Sequence, residues 1–232
     1  MTAVAIYWAK RFVFIIPVLF VVAIIIFALT TKHYVLASDA SCQTKEYTGL
    51  YDHSATQALF EGQEVDKPLF ARDVDEQSET AVLGVATPSE RWVEVDLSEQ
   101  KLKAWDGNNL YMETPISTGL PGTPTPTGEF RIWVKLRYTK MEGGRGRYYY
   151  NLPNVPYTMF FSNDQVPSWK GYGLHGTYWH NSFGTPRSHG CVNLPTPMAE
   201  KLYYFVGPSL PEGKRSVYAD ENNLGTRVLI HE

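Results

Sequence analysis

The sequence predicts a mainly β domain with one packed helix, behind a single N-terminal transmembrane helix. Three observations predict it. Short runs of alternating apolar and polar residues fill the second half of the chain, that half holds one convincing helical pattern, and an uncharged apolar run lies near the N-terminus. Composition agrees: 18 Gly, 15 Pro and 15 Tyr among 232 residues favour turns and strands over a helical bundle.

The apolar run extends from Phe12 to Thr31, behind Lys10 and Arg11. About 20 residues at roughly 1.5 Å each span a hydrocarbon core of about 30 Å. Pro17 is tolerable in a membrane helix. The run is longer than the roughly 7–15 residues of a secretory apolar core. Lys10 and Arg11 before it, against Lys32 after it, favour a cytoplasmic N-terminus and an external remainder. Weaker alternatives are a cleavage site at Ser38-Asp39-Ala40 and lipidation of Cys42, whose preceding residues lack a lipobox aliphatic. Residues 1–32 are therefore expected to be a cytoplasmic tip and membrane anchor.

Residues 33–90 are expected to be an extracytoplasmic acidic stalk. From Glu61 to Glu79 the chain is acidic and aperiodic, which keeps a segment solvated. The spacing of Ala55, Ala58 and Leu59 allows a short helix within Gly49 to Phe60.

Residues 91–232 are the expected folded domain. Trp92 to Leu97 and Leu102 to Trp105 alternate at the period of half-buried strands, and Asp106-Gly107-Asn108-Asn109 is turn chemistry. Leu110 to Thr118 reads as a further strand, followed by the Gly- and Pro-rich loop from Gly119 to Gly128. Phe130 to Leu136, Tyr157 to Phe161 and Thr226 to His231 read as strands, and His175 lies at the end of a short one. Lys140 to Arg147 reads as a basic hairpin tip. The helix starts near Thr196, with Thr196 as N-cap and Pro197 as first helical residue. Met198, Leu202 and Phe205 give its apolar face, and Gly207-Pro208 ends it.

A formal net charge of −3 argues against nucleic acid as the partner, since phosphate binding needs clustered cations. Two cysteines, Cys42 and Cys191, do not make a disulfide scaffold. Three of the six histidines, His175, His180 and His189, fall in the segment that ends at Cys191. Thiol chemistry needs a base beside the sulfur and a third group to orient that base. His175 is the candidate base and Cys191 the candidate nucleophile. The Gly176 carbonyl is the candidate orienter, and the Gly190 and Cys191 N–H groups are candidate oxyanion donors. A zinc site from His175, His180, His189 and Cys191 is the competing reading. It lacks paired Cys-x-x-Cys or His-x₃-His spacing and any carboxylate, so no metal and no cofactor are expected.

Ser188-His189-Gly190-Cys191-Val192-Asn193, preceded by His175-Gly176, closely resembles the signature of the L,D-transpeptidase (YkuD-type) catalytic domain. The Pro-Gly-Thr-Pro-Thr-Pro-Thr-Gly-Glu-Phe run ending at Phe130 resembles that family's upstream loop. The resemblance spans about Arg91 to Glu232. It implies a β-sandwich-like catalytic fold and peptidoglycan stem peptides as substrates. Cys191 would attack a tetrapeptide stem, expel the terminal D-Ala, and pass the acyl group to an amine, giving 3→3 cross-links. It also implies acylation by carbapenem-type inhibitors. By position, His189 and Gly190 shape the oxyanion region, while Ser188 and Asn193 brace the Cys191 loop. Tyr157, Met159, Tyr178 and Trp179 are candidate cleft residues, with plain core packing an equal alternative for Tyr157 and Met159. An L,D-carboxypeptidase and a non-catalytic wall-binding module are the alternatives. The expected location is the bacterial cell membrane, with the domain on the wall side.

Overall fold

The computed structural model describes residues 47–66 and 90–232. The expected anchor, residues 1–32, and the linker stretch 67–89 lie outside them. Among the described residues no helix is long and apolar enough to cross a membrane.

The described chain forms β1 (Ala58–Phe60), β2 (Gln63–Val65), β3 (Arg91–Asp96), β4 (Lys101–Asp106) and β5 (Asn109–Pro115). There follow β6 (Gly128–Gly143), β7 (Tyr150–Ser162), β8 (Gly173–Thr177) and β9 (Val192–Pro195). The helix α1 (Thr196–Phe205), β10 (Ser216–Tyr218) and β11 (Arg227–His231) complete it. The strands join in the order β2-β1-β7-β6-β11-β3-β4-β5, with β10 on β6, and β8 bridging β7 to β9.

Alternation sets the core. Val93 pairs with Ala104 and Val95 with Leu102 across β3 and β4, and all four are fully buried. Parallel pairing of β11 places Val228 beside Val93 and Ile230 beside Val95, on the same face. Packed on β7, β8 and β9, α1 buries Ala199, Leu202, Tyr203 and Phe205 in the same core. A Leu or Phe side chain such as Leu202 is worth roughly 1.5–3 kcal/mol when fully buried. Met198, expected on that face, is only half-buried.

The helix starts differently from the expectation. Thr196 is its first residue, Pro195 precedes it, and no side chain caps it. The Thr196 hydroxyl instead donates to the Thr177 carbonyl at 3.2 Å, which ties the helix start to β8. At the other end the buried Lys135 ammonium donates to the Val206 carbonyl at 2.7 Å. A cation there suits the negative end of the helix dipole.

Two further expectations are corrected. The segment within Gly49 to Phe60 is no helix: its end enters the β1–β2 hairpin, and β1 pairs with β7. Part of the expected stalk is therefore built into the sheet. β6 and β7 are also far longer than read. The Pro153 and Pro156 rings remove donors that a ladder uses. β7 accommodates them where its register with β6 shifts, between Thr139 and Met141, and where Asn154 and Tyr157 take positive φ.

Candidate active site

β8 and β9 run parallel, with His175 opposite Asn193 and Leu174 opposite Val192. Side chains alternate along a strand. Leu174 and Val192 therefore turn into the core, fully buried. His175, Asn193 and, two positions earlier, Cys191 turn the other way and line one small cavity. Cys191 and His175 are each only 1% exposed, so the cavity floor is closely covered.

His175 Nδ1 lies 3.1 Å from the Gly176 carbonyl oxygen. A carbonyl accepts only, so this contact assigns the ring hydrogen to Nδ1 and leaves the lone pair on Nε2. Gly176 has no room for a side chain: a Cβ would sit 2.9 Å from Pro156 Cγ.

The loop before Cys191 is held from two directions. The Ser188 hydroxyl accepts from the Gly190 N–H at 3.0 Å and donates to the Cys191 carbonyl. The Gly- and Pro-rich loop clasps the other side. Thr125 Oγ1 accepts from the Gly119 N–H and donates to the Gly190 carbonyl, both at 2.9 Å, and the Leu120 N–H donates to the Ser188 carbonyl. Gly190 has φ +119, and a Cβ would approach Tyr172 Cε1 to 2.5 Å, so glycine is required twice over. In the resting structure the Gly190 N–H is donated to Ser188 Oγ.

Asn193 reaches a residue that sequence reasoning weighed only as a zinc ligand. His180 Nε2 and Asn193 Nδ2 are 2.9 Å apart, while His180 Nδ1 accepts from the Ser182 N–H at 3.2 Å. A neutral ring that accepts at Nδ1 carries its hydrogen on Nε2, so the Asn193 amide must present its oxygen there. Burial, then the charges of Arg187 and His175, push the His180 pKa down to about 4. His180 is a neutral brace for Asn193.

The remaining expected cleft residues divide. Trp179 and His189 line the cavity, with Ser188 beside them. Tyr178 does not: its hydroxyl donates to the Pro153 carbonyl at 2.6 Å. Tyr157 and Met159 belong to the main core. The Tyr157 hydroxyl donates to Glu200, and its ring lies 5.7 Å from Tyr203, on the helix side. Alternation explains the core place of Met159, which pairs with the core residue Leu174 rather than His175. The apolar walls come instead from Phe60, Met141, Tyr150 and Leu152, none of them singled out from sequence. Among the described residues no group of three or more His, Cys, Asp or Glu side chains is placed to hold a metal ion.

Comparison with known proteins adds a family. Residues 90–230 match the model of the YkuD L,D-transpeptidase catalytic domain. The chain is 25% identical over 150 residues to YqjB of Bacillus subtilis (strain 168), which carries the provisional name L,D-transpeptidase; the match covers 62% of this chain and 79% of that one. Among solved structures, the L,D-transpeptidase LdtMt1 in complex with imipenem is 21% identical, with a TM-score of 0.48. That match covers 61% of this chain and 58% of the other, so this chain spans under two thirds of that protein. The catalytic domain of the Enterococcus faecium L,D-transpeptidase is 26% identical over 62% of this chain and 98% of its own, with a TM-score of 0.44.

Proposed function

Because the chain belongs to the L,D-transpeptidase catalytic-domain family, we propose that it is a peptidoglycan cross-linking enzyme in which Cys191 is the nucleophile and His175 its base. The observation that carries this reading is the register of β8 with β9, which turns His175 and Cys191 into one cavity while Gly176 fixes the imidazole tautomer.

The chemistry follows from that tautomer. His175 Nε2 takes the thiol proton, and the thiolate adds to the carbonyl of the third residue of a tetrapeptide stem. The tetrahedral adduct collapses, the C–N bond to the terminal D-Ala breaks, and the imidazolium returns the proton to the leaving amine. A thioester remains on Cys191. The side-chain amine of a second stem then attacks it and loses its proton to His175. The new amide is a 3→3 cross-link, and the sulfur leaves as thiolate. Base catalysis of this kind contributes about 10²–10⁴ in rate. The domain works on the wall side of the membrane, held there by the N-terminal apolar run, and its thiol is open to carbapenem acylation.

Incubation of the protein with purified tetrapeptide muropeptides, read by mass spectrometry, tests the reading. A cross-linked dimer with release of D-Ala is the expected result. D-Ala release without a dimer makes the protein a carboxypeptidase, and binding without any covalent change overturns the enzymatic reading.

A further inference from the structure

One wall of the cavity comes from outside the matched domain. The β1–β2 hairpin precedes residue 90, where the family match begins. Its Phe60 is 7% exposed and lines the cavity, 6.2 Å from the Trp179 ring and 5.9 Å from the His180 ring. The Arg187 guanidinium lies 5.7 Å from the Phe60 ring. Acyl transfer needs a carbonyl carbon within about 3–3.5 Å of the sulfur. A Cys191 that is 1% exposed does not offer that approach, so some wall has to move.

The walls differ in how they are fastened. Met141, Tyr150 and Leu152 ride on the β6–β7 ladder, which runs from Arg131 opposite Ser162 to Gly143 opposite Tyr150. β8 is held between β7 and β9. β1 meets β7 at a single pair, Leu59 with Asn151. Beyond the burial of Ala58 and Phe60, the turn adds two polar fastenings: the Gly62 N–H donates to the Tyr149 carbonyl at 3.2 Å, and Glu61 pairs with Arg187 at 3.0 Å. That ion pair is partly exposed, the kind that contributes little. Upstream, the chain has a fixed root: the Asp52 N–H donates to Asn154 Oδ1 at 2.7 Å, and Asn154 Nδ2 donates back to the Asp52 carbonyl.

We propose that the Ala58–Val65 hairpin is a strap that closes the thiol cavity at rest and lifts from β7 to admit the acyl donor. The proposal rests on Cys191 as the nucleophile. Phe60 is then the plug, and the Glu61–Arg187 pair is the clasp. The donor stem takes the place that Phe60 leaves.

The test is the rate of Cys191 alkylation by iodoacetamide in the full chain, with peptide mass spectrometry scoring Cys42 separately. Phe60→Ala is expected to speed alkylation at Cys191 about tenfold or more, equivalent to about 1.4 kcal/mol. Glu61→Gln removes only the clasp and is expected to give about two- to fivefold. Unchanged rates in folded Phe60→Ala and Glu61→Gln proteins overturn the strap. If Phe60→Ala does not fold, Glu61→Gln alone decides. A tetrapeptide donor separates the two ideas. Faster alkylation with no acyl-enzyme in any variant keeps the strap and overturns the nucleophile; acyl-enzyme in the wild type with unchanged alkylation rates does the reverse.

Discussion

Replacing Ser188 with alanine removes one hydroxyl that serves two backbone groups. In the wild type it accepts from the Gly190 N–H and donates to the Cys191 carbonyl, in a residue that is 5% exposed. The alanine leaves a donor and an acceptor buried without that partner. Each orphan costs about 1–3 kcal/mol, so Ser188→Ala is expected to cost about 2–6 kcal/mol. That is a large share of the roughly 5–15 kcal/mol that holds a domain together. With a slope of about 2 kcal/mol/M, the urea midpoint falls by about 1–3 M. The same hydroxyl fixes the backbone on both sides of the sulfur, so turnover of a tetrapeptide donor also falls. A displacement of about 1 Å at the reacting atom costs on the order of 10²-fold. A Ser188→Ala protein with the wild-type midpoint and turnover within about twofold of wild type would refute this account of the loop.

Cys191→Ala is expected to abolish cross-linking while circular dichroism and the urea midpoint stay near wild type, because the Ser188 contacts go to backbone atoms. His175→Ala is expected to lower kcat/KM for the donor by about 10²–10⁴, measured by D-Ala release. His180 gives a pH prediction. Its pKa falls from 6.5 to about 4 on folding, so the stability it contributes is present above pH 6.5 and is lost as pH falls toward 4. At about 1.36 kcal/mol per pH unit the ceiling is about 3 kcal/mol, and solvent at this half-buried ring brings it to about 1–2. Comparison of urea midpoints near pH 7 and pH 4.5 should show the wild type losing that much more than His180→Gln.

The sequence carried the parts of the fold that repeat and hid the parts that depend on distant pairing. Val93, Val95, Leu102 and Ala104 announce their strands by strict alternation, and all of them are buried. Tyr150 to Pro156 hides a strand because its two prolines break the expected ladder, while the β6 register shift absorbs them. The His175–Gly176 contact was legible because the carbonyl that orients the ring belongs to the next residue. Phe60 was illegible, since the acidic residues after it signal a solvated stalk, and only its pairing with Asn151 through Leu59 brings it to the cavity. His180 was visible as chemistry but not as a brace, because it lies in the loop after β8 and its partner Asn193 on β9. For Tyr157 and Met159 residue type left cleft and core equally open, and strand alternation sends them to the core.

The most direct measurement is capture of the covalent intermediate. The full chain is mixed with a tetrapeptide donor in the absence of an acceptor, quenched in acid, digested and sequenced by mass spectrometry. The account predicts a stem lacking its terminal D-Ala joined as a thioester to the peptide that contains Cys191, and no such adduct in Cys191→Ala. Release of D-Ala at the wild-type rate by Cys191→Ala, or an adduct on another residue, would contradict it.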